Sequence, residues 1–404
     1  MKIRIYAPGF PHPITEGMHQ IVADQLTTFL SMKHDVELVS ILQSVDDIEA
    51  RAPQKLAELE ARGLKLTSLA GESFWKKIGI EKMFRVGRSL VSGLASPELF
   101  YYPDGLARRQ AWDEVDLAIY HYSFAYSWLR DSDRRGEKNR VTYFHNLESD
   151  LFDLRAKSES GRVAKTVHGL NALKLRKHER ILAKYCDELW FLSPVDRKAL
   201  LPFAHNKLLR LTPPGYEEAI RNRRQKTFLA RTKGGPMDLR IGFIGGLDFA
   251  PNHDSAKWIL ENAAPALANG NFTGRLVIAG RGASEELKRL GSRFSFVEFT
   301  GFIEDLEDYW SRLSLSLVPH VSGSGVRMKL LESVASGVPC LANSEAISRL
   351  HPDVQKSPFV VRCDRIDDWA RSILNEKPFQ TRLSLAGVPH NPGLEGRKIY
   401  EFLV

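Results

Sequence analysis

A chain of 404 residues, 43% hydrophobic and 26% charged, has the balance of an ordinary folded protein and is long enough for two or three separate cores. Its formal charge of +8 points to anionic partners, and without zinc-finger spacing or a basic-aromatic repeat nucleic acid is not the expected one. Three widely spaced cysteines, Cys186, Cys340 and Cys363, exclude a disulfide framework or a CxxC metal pair and fit a reducing cytoplasm.

The opening MKIRIYAPGF alternates Ile3 and Ile5 and closes on a Pro-Gly turn, which predicts a strand and not the longer apolar run of a signal peptide. No run of ~18 apolar residues follows, so no transmembrane helix is expected. The expected location is cytoplasmic, with any membrane contact peripheral, on the inner face. His19 to Met32 has helical apolar spacing, and DVELVSIL reads as the next strand, giving a βαβ unit and a parallel sheet. A charged helix-like stretch from Asp46 to Arg62, the segment KLTSLAG and a mixed basic and aromatic region follow. DLAIYHYS and RVTYFHN are short strands, Glu159 to Lys184 a long helical pattern, and DELWFLS another strand. LTPPGYEEAIRNRRQKTFLARTKGGPMD, with Pro-Pro-Gly, a basic run and Gly-Gly-Pro, reads as a linker.

A second series begins with LRIGFIGG. It runs through a helix around Ser255 to Leu260, RLVIAGRG, FVEFTGF, a short helix near Leu306 to Leu313, LSLSLVPH, a helix from about Val326 to Ser336, and VPCLAN. Its continuous apolar strands are those of a parallel sheet buried on both faces. The expected division is an N-terminal Rossmann-like acceptor domain at 1–212 and a C-terminal Rossmann-like donor domain at 213–389. A last helix near 390–404 is expected to pack back on the first domain.

Open parallel sheets bind ligands beyond the carboxyl ends of their strands, so the informative residues are those just after each strand. In PHVSGSGVRMKLLESVASGVP, Gly323, Ser324 and Gly325 form a small-residue loop that leads into a helix. Glycines admit a phosphate to the backbone, and the free N–H groups of a helix start can donate to it. Gly325, Lys329 and Glu332 are spaced to share one helix face; Lys329 and Arg327 suit phosphate, and Glu332 suits ribose hydroxyls. Without further context the same segment also reads as a plain strand-loop-helix joint with solvated charges.

The segment GSGVRMKLLESVASGVP resembles the donor site of the group-1 retaining glycosyltransferases, in the subgroup whose loop reads G-x-G-V-R-x-K. FIGGLDFAPNHDSAKWI, RLVIAGRG, FTGFIEDLEDYW and VTYFHNLESD are similar to further segments of that family, in its order. The likeness covers most of 115–345 and is weak from 45 to 110 and after 350. It implies an α/β GT-B architecture, two Rossmann-like domains facing across a cleft. It also implies a nucleotide-diphosphate sugar donor, no metal, no cofactor and retention at the anomeric carbon. The acceptor it implies is a saccharide or a lipid-linked sugar in bacterial surface glycan synthesis.

By this likeness His145, Glu332, Lys329 and Arg327 carry the chemistry. Gly245, Gly246, Asn252, Arg281, Phe302, Ile303, Gly323, Ser324, Gly325 and Val326 hold the donor, and Glu16, Gly17, His19 and His121 meet the acceptor. Phe302 and Ile303 read equally well as core, and His121 as a satisfied buried histidine. Ser324 stands where many relatives carry the first of two glutamates. A sugar-nucleotide epimerase or hydrolase, and a degenerate nucleotide-sugar-binding subunit, are the alternatives. Asp131 and Asp133 have DxD spacing but sit in a charged loop, and GRGASEE lacks the lysine of a Walker loop. Residues 155–184 hold nine Lys or Arg against two Glu, and 76–88 hold five against one, a charge pattern that suits an anionic membrane surface.

Overall fold

The computed structural model describes residues 1–14, 17–69, 114–123, 125, 136–159, 161–205, 207–212, 214, 222–223, 226 and 239–374. The chain divides into two compact units, Met1–Glu217 and Glu218–Glu395. Glu16, the Asp131–Asp133 pair, the basic stretch 76–88, most of the expected linker and the expected helix near 390–404 lie outside the described residues.

The first unit is a seven-stranded sheet: β1 Lys2–Ala7, β2 Asp35–Ser40, β3 Leu64–Ser68, β4 Val115–His121, β5 Glu137–Phe144, β6 Glu188–Phe191 and β7 Leu208–Leu211. Their order is β3-β2-β1-β4-β5-β6-β7, and every pairing is parallel. The chain starts in the middle, builds outward to one edge, then returns to build the other. That reversal leaves a switch point between β1 and β4, where connections leave on opposite faces and open a crevice. Gly17–Ser31, the helix after β1, is buried continuously from Gln20 to Leu30.

The second unit repeats this logic with six strands: β8 Arg240–Ile244, β9 Arg275–Ala279, β10 Val297–Gly301, β11 Leu315–Val318, β12 Cys340–Ala342 and β13 Val360–Arg362. The order β10-β9-β8-β11-β12-β13 is again all parallel and puts its switch point between β8 and β11. One face is sealed by Leu260, Leu267, Leu287, Trp369 and Ile373 against Ile241, Phe243, Leu276 and Ile278. On the other, the Met328–Ala335 helix lays Leu330, Leu331 and Val334 against Val318, Cys340 and Ala342. Burying a leucine of this kind contributes roughly 1.5–3 kcal/mol.

Several element boundaries differ from the sequence expectation. The charged stretch after β2 is two helices, Val45–Arg51 and Pro53–Ala61, because Pro53 cannot continue the first and suits the start of a second. The long pattern expected from Glu159 to Lys184 is one helix, Arg162–Tyr185, and a helix not expected from the sequence, Glu148–Ser158, precedes it. The donor-loop helix starts at Met328 with Arg327 at its N-cap, so Gly325 is in the loop and only Lys329 and Glu332 share the helix face. No helix among the described residues is long and apolar enough to cross a membrane. All three cysteines are buried thiols, none of them in a disulfide.

Candidate active site

At the switch point of the second unit, β8 runs into the glycine turn and β11 into the glycine loop. Each loop feeds a helix, Ala250–Trp258 and Met328–Ala335, and neither N-terminus is capped by a side chain. The helices that begin at Glu285, Leu306 and Ser344 in the same unit are capped by Ser284, Asp305 and Asn343. The Met328 helix therefore keeps first-turn donors that those three have satisfied, whereas the Ala250 helix, with Pro251 in its first turn and the Asn252 N–H bonded to the Phe249 carbonyl at 2.9 Å, offers at most the Ala250 N–H.

Lys329 joins the two loops. Its Nζ donates to Asn252 Oδ1 at 2.8 Å and lies 3.9 Å from the centre of the Phe243 ring, while Asn252 Nδ2 donates to the Gly246 carbonyl at 3.0 Å. A Cβ on Gly245 would fall 2.7 Å from Asn252 Nδ2 and 2.9 Å from Lys329 Nζ, so the glycine is needed for this approach. Although the residue is only half-buried, its ammonium is desolvated. Burial pulls its pKa down to about 7, helped by the charge of Arg327 and opposed by Glu332. Glu332 lies near the buried hydroxyl of Tyr309, which burial and this carboxylate hold well above the ordinary tyrosine value.

Arg327 turns back into its own loop. Its guanidinium donates to the Ser322 carbonyl and to His320 Nδ1, both at 2.6 Å from Nη2. Gly323 makes room for this turn: it has φ +105°, and a Cβ there would sit 2.6 Å from Arg327 Nη2. Burial, then Arg327 and Arg349, lower the pKa of His320 to about 3, so the ring is neutral and free to accept. Asn343 pins the backbone of His320 from both sides, accepting its N–H at 3.1 Å and donating to its carbonyl at 2.9 Å. His320 was not among the sequence candidates, yet it follows the end of β11, where the strand-end rule could have found it. The Ser324 Oγ is buried with no partner.

The remaining donor candidates are spread more widely. Val326 is half-buried in the loop. Arg281 is exposed and 3.6 Å from Asp248 of the glycine turn, a surface pair of small energetic weight. Phe302, just past β10, is 62% exposed, whereas Ile303 packs against the core of Val277, Tyr309 and Trp310. The two residues therefore part company: one offers a free ring face and the other fills a core.

In the first unit, His121 ends β4 and His145 follows β5. His121 Nδ1 and His145 Nε2 are 2.8 Å apart, and His121 Nε2 is 2.8 Å from Gln25 Oε1. His121 is fully buried with both nitrogens engaged, so its reach ends at His145 and no acceptor can touch it. Burial lowers His121 to about 3, and burial together with His121 lowers His145 well below the usual histidine value. Tyr122, at φ +70°, stacks on His145 with ring centres 4.4 Å apart. Such a conformation in a non-glycine residue is costly and is held only where the surroundings require it. Gly17 opens the helix after β1 and His19 lies in its first turn, both half-buried. Among the described residues no group of three or more His, Cys, Asp or Glu is arranged to hold a metal.

No curated protein sequence matches this chain. Solved structures do match over its whole length. Anabaena HepE in complex with UDP and glucose is 12% identical, covers 100% of this chain and 98% of its own, and has a TM-score of 0.59. Sucrose-phosphate synthase from Thermosynechococcus elongatus is 14% identical over 99% of this chain and 94% of its own, at 0.60. WaaG, a glycosyltransferase involved in lipopolysaccharide biosynthesis, is 12% identical over 99% and 98%, also at 0.60. At these identities the likeness carries the fold alone: the two Rossmann-like units have the GT-B fold. Residues 238–375, which hold the glycine turn, Lys329, Arg327 and Glu332, match the sequence model of the glycosyl transferases group 1.

Proposed function

We propose that this chain is a retaining, metal-independent glycosyltransferase that moves a sugar from a nucleotide-diphosphate donor to a saccharide or lipid-linked acceptor. The observation that carries this reading is the meeting of Lys329, Asn252 and Gly245 at the β8/β11 switch point, between two uncapped helix starts and inside the segment that matches the family. A diphosphate seated there would take the first N–H groups of the Met328 helix and the Lys329 ammonium, with Arg327 beside it. Glu332 accepts from the ribose hydroxyls. The Ser324 hydroxyl offers the donor sugar one hydrogen bond where a carboxylate stands in many relatives.

In the transfer, the anomeric carbon–oxygen bond to the phosphate breaks and the acceptor oxygen bonds that carbon on the same face. The acceptor proton passes to the departing phosphate oxygen, so no protein base is needed. Cationic groups around the diphosphate stabilise the charge that develops on it. By the family resemblance, the role we assign to His145, neutral and stacked on Tyr122, is to contact the donor sugar. Surface glycan synthesis suits this chemistry. UDP-glucose is the first donor to try, since a structural neighbour was solved with UDP and glucose.

A thermal-shift screen of nucleoside diphosphates and their sugars, run in EDTA, tests the reading. One base at about 100 times its Kd should raise Tm by roughly 5–10 °C. With an α-linked donor, NMR of the product should show an α linkage. Absence of any diphosphate binding at millimolar concentration would sink the proposal, and a β-linked product would remove retention from it.

A further inference from the structure

The chain that holds His145 begins on another element and reaches the ring through one nitrogen alone. Gln25, fully buried on the helix after β1, meets His121 Nε2 through its carboxamide oxygen. That oxygen can only accept, so His121 carries its proton on Nε2. A neutral imidazole has a single N–H, so His121 Nδ1 is a lone pair and must accept from His145 Nε2–H. The single proton of His145 is thereby spent inward, and its Nδ1 is left as an acceptor. Burial keeps both rings neutral, so neither can donate from both nitrogens. Tyr122 stacks on the His145 ring, and Tyr143 lies against it with centres 5.1 Å apart, which opposes a ring flip.

We infer that Gln25 and His121 are positioning residues that fix His145 in its Nε2–H form, so that the ring offers a lone pair to a sugar hydroxyl. This rests on the reading of His145 as a donor-sugar contact, and it makes the contact specific: His145 accepts from a hydroxyl and does not donate to a phosphate. The chain is buried and joins the helix after β1 to the ends of β4 and β5, so a change at Gln25 reaches His145 without touching substrate.

Long-range nitrogen–proton NMR of the histidine rings in the ligand-free protein at pH 7.5 reads the tautomers directly. The expected spectrum shows His121 and His145 both protonated at Nε2. In Gln25→Leu the acceptor is lost: His145 should become a tautomer mixture. The kcat for transfer from UDP-glucose should fall about tenfold, the weight of one hydrogen bond, while the Kd of UDP stays within about twofold. A wild-type His145 protonated at Nδ1, as a reversed chain with Gln25 donating would give, overturns the inference, and so does a Gln25→Leu spectrum identical to wild type. If Gln25→Leu does not fold, the wild-type spectrum alone decides. Full activity in His145→Ala, with the tautomers as stated, would instead defeat the role given to His145 and leave the chain standing.

Discussion

Lys329 is a cation whose charge the empty protein disfavours. Its pKa of about 7 lies well below the ~10.4 of an unfolded lysine. Between these values the unfolded chain binds more protons than the folded one, so the contribution of Lys329 makes stability rise with pH from about 7 to about 10. A bound diphosphate favours the ammonium, so binding takes up a proton above pH 7. Affinity should then fall by up to about tenfold per pH unit. The two trends run in opposite directions. Lys329→Met should abolish both and weaken UDP binding about ten- to hundredfold at pH 7. Calorimetric titration with UDP in buffers of different ionisation enthalpy, with Tm measured across the same pH range, checks this. A wild-type affinity that stays level from pH 7 to 9 would rule out the assignment.

At the scale of elements, the helices after β5 are tied together by buried carboxyls. Ser149, in the first turn of Glu148–Ser158, donates to Glu179 of Arg162–Tyr185 through its N–H at 3.0 Å and through its hydroxyl at 2.6 Å. Burial and the charge of Glu179 push Glu148 up to about 8, and burial pushes Glu179 up to about 7. Folded carboxyls raised in this way hold protons that the unfolded chain releases, so their contribution is lost as pH rises from about 4.5 through 8. Glu148→Gln should leave Tm unchanged at pH 5 and raise it at pH 9; a lower Tm at pH 9 would contradict the buried-acid account.

The strands were legible because parallel strands buried on both faces are continuous apolar runs, as in LSLSLVPH and RLVIAGRG. The helix starts were less so. Met328 begins two residues later than the pattern of GSGVRMKLLESV suggests, because apolar spacing does not register where the backbone first turns helical. Lys329, Asn252 and Gly245 could each be named from strand ends. Their meeting could not, since it depends on β8 and β11 being neighbours although 70 residues of chain separate Ile244 from Leu315. Gln25 was hidden for the same reason: its partner His121 is 96 positions away.

At the scale of the whole molecule, one surface among the described residues departs from the usual scatter of exposed apolar groups. The Arg162–Tyr185 helix leaves Val163, Leu170, Leu173 and Ile181 in the open. At 100° per residue they share an arc of roughly 100° with Arg162, Lys177, Arg180 and Lys184. Ala172, Leu175, Glu179 and Leu182 turn inward on the other side. Aliphatic side chains interleaved with cations suit the headgroup region of an anionic bilayer. The protein should float with vesicles that contain anionic phosphatidylglycerol and stay behind with pure phosphatidylcholine, and ~0.5 M salt should weaken the binding. Leu173→Glu with Lys177→Glu should abolish it while leaving Tm nearly unchanged. Equal flotation with neutral vesicles would refute the electrostatic part, and none with either would refute the surface.

The two bare helix starts at the β8/β11 switch point have a consequence for anyone who would make this protein more heat-resistant. Cap optimisation is a routine route to higher Tm, and Phe249 and Arg327 are the positions it would select. Arg327→Ser would give the Lys329 amide an internal acceptor worth about 1 kcal/mol, set against the lost Arg327 bonds to Ser322 and His320, and Phe249→Asp would place its acceptor where Pro251 has no N–H and the Asn252 N–H is already bonded. The serine would occupy a group that a diphosphate needs, and the aspartate would repel it. An added acceptor at either turn should therefore weaken diphosphate binding with little gain in Tm, and selection for turnover would keep these two turns unfinished.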